Sequence, residues 1–195
     1  MVQTSIETKT DRHLVLPGTW ESFKHIQRGF EAAHGAKLSY YNGMIEILMP
    51  GELHAFFASV ISYLMMTFFT EKRIPFKPTR DKDQEKAGEA SAQADESYCL
   101  GDFKPIPDLS IEIVDTSGGI NKLARYFALG VPEVWFWEDG ALTPYHRRET
   151  SYERISKSEL AGLESLNIDH LQRCILLAET DWNGAVEAFR KGIES

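Results

Sequence analysis

The chain is poor in cysteine and in net positive charge. Its two cysteines, Cys99 and Cys174, form neither a spaced metal motif nor a disulfide framework. That fits a reducing compartment, and a cytoplasmic protein is expected. The formal net charge of −8 argues against a protein that coats nucleic acid with a basic surface, while leaving room for a local cationic cleft. There is no internal repeat and no low-complexity segment. The first residues, MVQTSIETKTDRHLVLPG, lack an apolar core of signal-peptide length. The apolar stretch from His54 to Thr70 contains no Asp, Glu, Lys or Arg. It falls short of the roughly 20 residues that a membrane span needs, so it reads as a buried central helix and no membrane partner is expected.

What is present is an ordinary globular composition, 43% hydrophobic and 26% charged over 195 residues. One domain over 1–195 is the expectation. The patterning predicts a first helix in LPGTWESFKHIQRGFEAAHG, with Thr19 as N-cap and Gly35 as stop. A hairpin follows in KLSYYNGMIEILMPG, turned at Asn42-Gly43. The apolar helix over about Leu53 to Lys72 comes next, then an edge strand in RIPFKPTR. DKDQEKAGEASAQ reads as a surface loop, and ADESYCL and PDLSIEIVD as two strands.

SGGINKLARYFALGVP reads as a helix that opens at Ser117 or its glycines and ends at Gly130 and Pro132. EVWFWEDGALTPYHRRETSYERI reads as a β-meander turned at Asp139-Gly140. Helices in SKSELAGLESLNIDHLQRC and WNGAVEAFRKGI close the chain. The fold class is α/β (α+β), a mixed sheet flanked by helices without regular βαβ alternation.

PDLSIEIVD carries acids along an apolar run. Alternation puts Leu109, Ile111 and Ile113 on one face and Asp108, Ser110, Glu112 and Val114 on the other. Asp108 and Glu112 are then about 13 Å apart, too far to share one small cation. The preceding strand supplies a closer acid. If the two strands pair antiparallel across the intervening loop, Cys99 faces Asp108, Ser97 faces Ser110 and Asp95 faces Glu112. Opposed carboxylates repel, and a hard divalent cation, Mg²⁺ or Mn²⁺, would relieve the repulsion. A solvated acidic face that binds nothing is the alternative. In the next helix Lys122 and Tyr126 share a face at i and i+4. Acids on strands with a lysine nearby suit metal-assisted hydrolysis.

These stretches resemble the Uma-type endonucleases of the PD-(D/E)XK, restriction-endonuclease-like superfamily. The resemblance runs from LPGTWESFKHI to AVEAFRKGI and is most specific from PDLSIEIV through GVPEVWFW. It implies a restriction-endonuclease-like fold and Mg²⁺-dependent hydrolysis of DNA phosphodiester bonds. Asp95 matches the first acid and Glu112 the second, while Val114 stands where a lysine is usual, so Lys122 takes that role. Asp108 is either the first acid in another alignment or an acid that fixes its loop. Glu46 matches a further metal-site carboxylate, and His54 a residue for proton transfer or phosphate binding. The other histidines, His13, His25, His34, His146 and His170, read as structural or solvent-facing.

Cutting two strands suits a homodimer, with Trp135 and Trp137 as a source of apolar surface. From 71 to 86 six basic residues face four acidic ones, a weak cationic source for DNA. An inactive nuclease fold used for binding, or a hydrolase of RNA or nucleotides, are the alternatives.

Overall fold

The structure is a computed structural model that describes residues 10–30, 35–114 and 122–194. Asp115, the helix start at Ser117, Gly118 and Gly119, His34 and the first nine residues lie outside the described residues.

The fold is the expected α+β class, consistent with a restriction-endonuclease-like fold, and its strands form two sheets, one antiparallel and one mixed. The first has five antiparallel strands, β1 (Arg12–Pro17), β2 (Lys37–Tyr41), β3 (Met44–Met49), β5 (Gln84–Lys86) and β6 (Ala90–Ala92), in the order β1-β3-β2-β6-β5. The second is mixed, in the order β11-β10-β9-β8-β7-β4. Its strands are β4 (Phe76–Pro78), β7 (Glu96–Leu100), β8 (Leu109–Val114), β9 (Glu133–Glu138), β10 (Ala141–Arg147) and β11 (Tyr152–Arg154). Among the described residues only β8 and β9 pair in parallel, joined by the crossover that contains α3 (Lys122–Leu129). The remaining helices are α1 (Trp20–Phe30), α2 (Glu52–Glu71), α4 (Ile168–Leu177) and α5 (Trp182–Glu194).

Local chemistry explains most boundaries. Thr19 Oγ1 accepts the Ser22 amide at 3.2 Å and caps α1. Asn42 and Gly43 both have positive φ, 49° and 74°, as a type I′ turn requires. Asp139 and Gly140 repeat the pattern at 49° and 76°. Pro78 ends β4 at the sheet edge, where a missing amide donor is tolerated.

Two sequence readings are corrected. The stretch read as a loop from 81 to 93 holds the hairpin β5–β6, turned at Gly88, φ 75°. Ala90, Ser91 and Ala92 are fully buried, and their small side chains let α3 pack closely over β6. The helix expected from Ser156 begins only at Ile168, because Asn167 caps it by accepting the His170 amide at 2.9 Å. The preceding turns are tied down instead: Ser158 Oγ and the Glu159 amide donate to buried Glu133 at 2.9 and 2.6 Å.

The main core lies between α2, α4, α5 and one face of the mixed sheet, where Leu109, Ile111 and Ile113 meet Ile61, Leu64, Met65 and Phe68. By length and composition α2 could cross a membrane, yet half of its most apolar stretch is buried in this core. Trp135 and Trp137 are buried here too, so they offer no dimer face. A second core sits under α3, joining Tyr126 and Leu129 to Ala90, Ala92, Val134 and Phe136. α3 therefore wedges between the two sheets, and polar residues of both converge at its start.

Candidate active site

The ladder between β7 and β8 pairs Glu96 with Ile111, Ser97 with Ser110 and Tyr98 with Leu109, the register that the sequence suggested. Asp95 lies one residue before β7 and leaves the ladder. Its amide donates to Ile111 O at 3.1 Å, and its Oδ2 accepts the Ile113 amide at 2.7 Å. The carboxylate is thus anchored along β8 on either side of Glu112.

Both carboxylates are buried, and each is met by cations and donors of the protein itself. Asp95 Oδ1 pairs with Lys37 and stands 2.7 Å from His54 Nε2. Lys122 Nζ donates to Glu112 Oε2 at 2.7 Å, and the Tyr126 hydroxyl, one helical turn on, donates to Oε1. The repulsion expected between the two acids is relieved in this way by side chains.

Glu46, on β3, forms the third corner. Arg125 Nη1 donates to its Oε2 at 2.6 Å, Ser39 Oγ donates to the same atom at 3.0 Å, and His13 pairs with Oε1. His13 is thus a partner in the site rather than a bystander. Burial pushes the Glu46 carboxyl up, but Arg125, with Lys122 and His13, outweighs it and holds the group down at about 2. Burial also opposes ionisation of Asp95, yet Lys37 and His54 hold it well below the usual carboxylate range. Lys122 is raised: burial lowers it, and Glu112 with Asp95 overcomes that. Burial, then Glu112, pushes the Tyr126 phenol well above its ordinary value, so it stays a donor.

His54, in the first turn of α2, hydrogen-bonds through Nδ1 and sets Nε2 against Asp95. Nδ1 lies 2.8 Å from Asp11 Oδ2, whose other oxygen accepts the Gly51 amide at 2.7 Å. Burial lowers the imidazole, but Asp95 and Asp11 raise it above its ordinary value. Nε2 faces Asp95 as an ion-pair partner and makes no hydrogen bond among the described residues, so His54 positions Asp95 by charge.

Asp108 does not join this cluster. It accepts the Leu100 amide and the Lys104 ammonium at 2.7 Å, closing the loop between β7 and β8. The entry-loop role fits it, and the role of first acid does not. The sequence reading missed Arg125, Lys37 and Asp11. Arg125 was within reach, since it lies three residues after Lys122 on the face that also carries Tyr126. Lys37 and Asp11 arrive by long-range pairing and leave no local signal.

A cavity of ≈ 20 Å³ lies among Lys37, Ser39, Glu46, Glu112, Lys122 and Arg125, room for one water- or ion-sized guest. Arg125 Nε, buried there, has no hydrogen-bond partner among the described residues. Asp95 and Glu112 provide the hard oxygen donors that Mg²⁺ or Mn²⁺ takes. Among the described residues no three His, Cys, Asp or Glu side chains already converge as a ligand set. The donors fit such an ion in kind, and taking it up requires Lys37 or Lys122 to yield its carboxylate.

No curated protein matches the chain. The model of the Uma2 family, described as "putative restriction endonuclease", matches residues 20–173, and the chain belongs to that family.

Proposed function

We propose that the chain is a divalent-metal-dependent endonuclease that hydrolyses phosphodiester bonds of DNA. One observation carries this reading. Asp95, one residue before β7, is anchored to β8 at Ile113 beside Glu112, Glu112 pairs with Lys122 of α3, both acids are buried, and family membership supports a nuclease-like activity. Asp95 and Glu112 would hold Mg²⁺ or Mn²⁺ through their oxygens. The ion, when bound, polarises a phosphoryl oxygen and makes an attacking water more acidic.

The protein's own contribution is positional. His54 and the Ile113 amide fix Asp95, and Tyr126 fixes Glu112. Lys122, once released from Glu112, offers an ammonium to the water or to the charge that grows on the phosphate. Glu46 keeps Arg125 in place at the cavity wall.

A second reading has its own support. Each carboxylate is already neutralised by a side chain, as expected of a nuclease fold kept for binding alone. Mn²⁺ titration by calorimetry separates the two. The endonuclease reading expects a heat of binding that Glu112→Gln abolishes; an athermal titration, with the ion leaving the melting temperature unmoved, favours the binding module. Plasmid, single-stranded DNA and RNA with one metal then test the substrate, and cleavage of RNA alone would replace DNA in the proposal.

A further inference from the structure

A second, larger cleft adjoins Asp95. Its volume is ≈ 510 Å³, and it is lined by Lys37, Arg80, Asp95 and Glu96, with Ala55 and Ala58 of α2 as apolar wall. Lys37 lines both this cleft and the small cavity beside Glu112, so the two spaces share the Lys37 side chain as a wall. The size is that of a small-molecule site, roughly 300–1,000 Å³.

Two features make it more than a gap. Glu96, the first residue of β7, is completely buried, and its Oε1 has no hydrogen-bond partner among the described residues. Arg80 Nη2 stands 3.7 Å away, beyond hydrogen-bond reach. A buried carboxylate oxygen without a donor is costly, so this cleft has an acceptor at its base waiting for a donor.

Arg80 is the second feature. Its backbone takes φ 47°, a region that arginine seldom occupies. Ser97 holds it there: Ser97 O accepts the Thr79 and Arg80 amides at 2.8 and 3.3 Å, and Ser97 Oγ donates to Arg80 O at 2.7 Å. The turn is over-determined, as strained residues at binding sites are. The Arg80 side chain, which lines the cleft, is 68% exposed.

A ligand that satisfies both groups presents an anion to the rim and a hydrogen-bond donor to the base, with a flat apolar body against the alanines. A nucleotide has these three parts. Resting on the nuclease reading above, we infer that the cleft seats one nucleotide of the substrate strand beside the phosphate to be cut. Its own phosphate lies on Arg80, and the amino group of its base on Glu96 Oε1.

The test is fluorescence anisotropy with labelled homo-oligonucleotides of adenine, cytosine and thymine over a salt series. Arg80→Asn removes the charge and keeps a residue that tolerates positive φ. It is expected to bind all three oligonucleotides about tenfold more weakly, with a salt slope smaller by about one. Glu96→Met is expected to melt no lower than the parent and to lose a severalfold preference for adenine and cytosine over thymine, which has no amino group. Unchanged affinity and slope in Arg80→Asn, in a parent that binds or cuts DNA, overturns this inference and leaves the nuclease reading standing. A parent that binds no oligonucleotide and cuts no DNA overturns both. If Glu96→Met does not fold, Arg80→Asn alone decides.

Discussion

Lys122 Nζ lies 2.7 Å from Glu112 Oε2, with both side chains largely withdrawn from solvent. The pair joins α3 to β8 across the junction of the two sheets, and in the proposed reaction its ammonium meets the charge that grows on the phosphate. Lys122→Met is therefore expected to lower DNA cleavage by about a hundredfold or more. The measurement is single-turnover nicking of plasmid at saturating Mg²⁺, with circular dichroism to establish that the variant is folded.

Tyr126 holds the other oxygen of the same carboxylate. Tyr126→Phe deletes one hydroxyl in a fully buried position and leaves Glu112 short of a donor. The expected cost is about 1–3 kcal/mol, read from urea unfolding.

Arg125 and Glu46 are a buried ion pair at 2.6 Å. Removing one partner strands a charge in the interior. Arg125→Met is expected to destabilise the fold by about 3–5 kcal/mol. The double variant Arg125→Met, Glu46→Leu removes both charges and is expected to recover most of that loss. Equal unfolding midpoints for single and double variants would contradict this assignment.

Stability also depends on pH in two windows with opposite signs. Glu46 and Asp95 have folded-state values below their unfolded ones. Their contribution is present above the unfolded carboxylate range of about 4 and is lost as pH falls through the folded values. For Glu46, held at about 2, it is on the order of 3 kcal/mol. His54 is raised, so its contribution is full below about pH 6.5 and is lost as pH rises through the folded value. Melting temperature against pH measures both. His54→Gln is expected to flatten the alkaline limb and, because His54 helps hold Asp95 down, to weaken the Asp95 share of the acid limb while leaving the Glu46 share in place.

The parts of this account legible in the sequence are those set by local rules. Period-two alternation separated Leu109, Ile111 and Ile113 from Ser110, Glu112 and Val114, and the core and the polar contacts divide along that line. The Asn42-Gly43 and Asp139-Gly140 turns followed from positive φ. The helical spacing of Lys122 and Tyr126 brought both to Glu112.

What could not be read was set by distant pairing. Ala90–Ala92 has little strand propensity of its own and is a strand because β2 and β5 flank it and α3 covers it. Lys37 reaches Asp95, and Asp11 reaches His54, across 58 and 43 residues of chain. The division into two sheets likewise depends on β1 pairing with β3, a strand the sequence reading left unassigned.

In the proposed function Glu112 and Asp95 form a metal-dependent cutting site. The most direct measurement is plasmid cleavage with Mn²⁺ by the parent and by Glu112→Gln, a variant close in shape that lacks the charge. The account predicts nicking by the parent that needs the ion and falls at least about a hundredfold in the variant. Equal cleavage by both proteins, or none by the parent across metals and substrates, would contradict it.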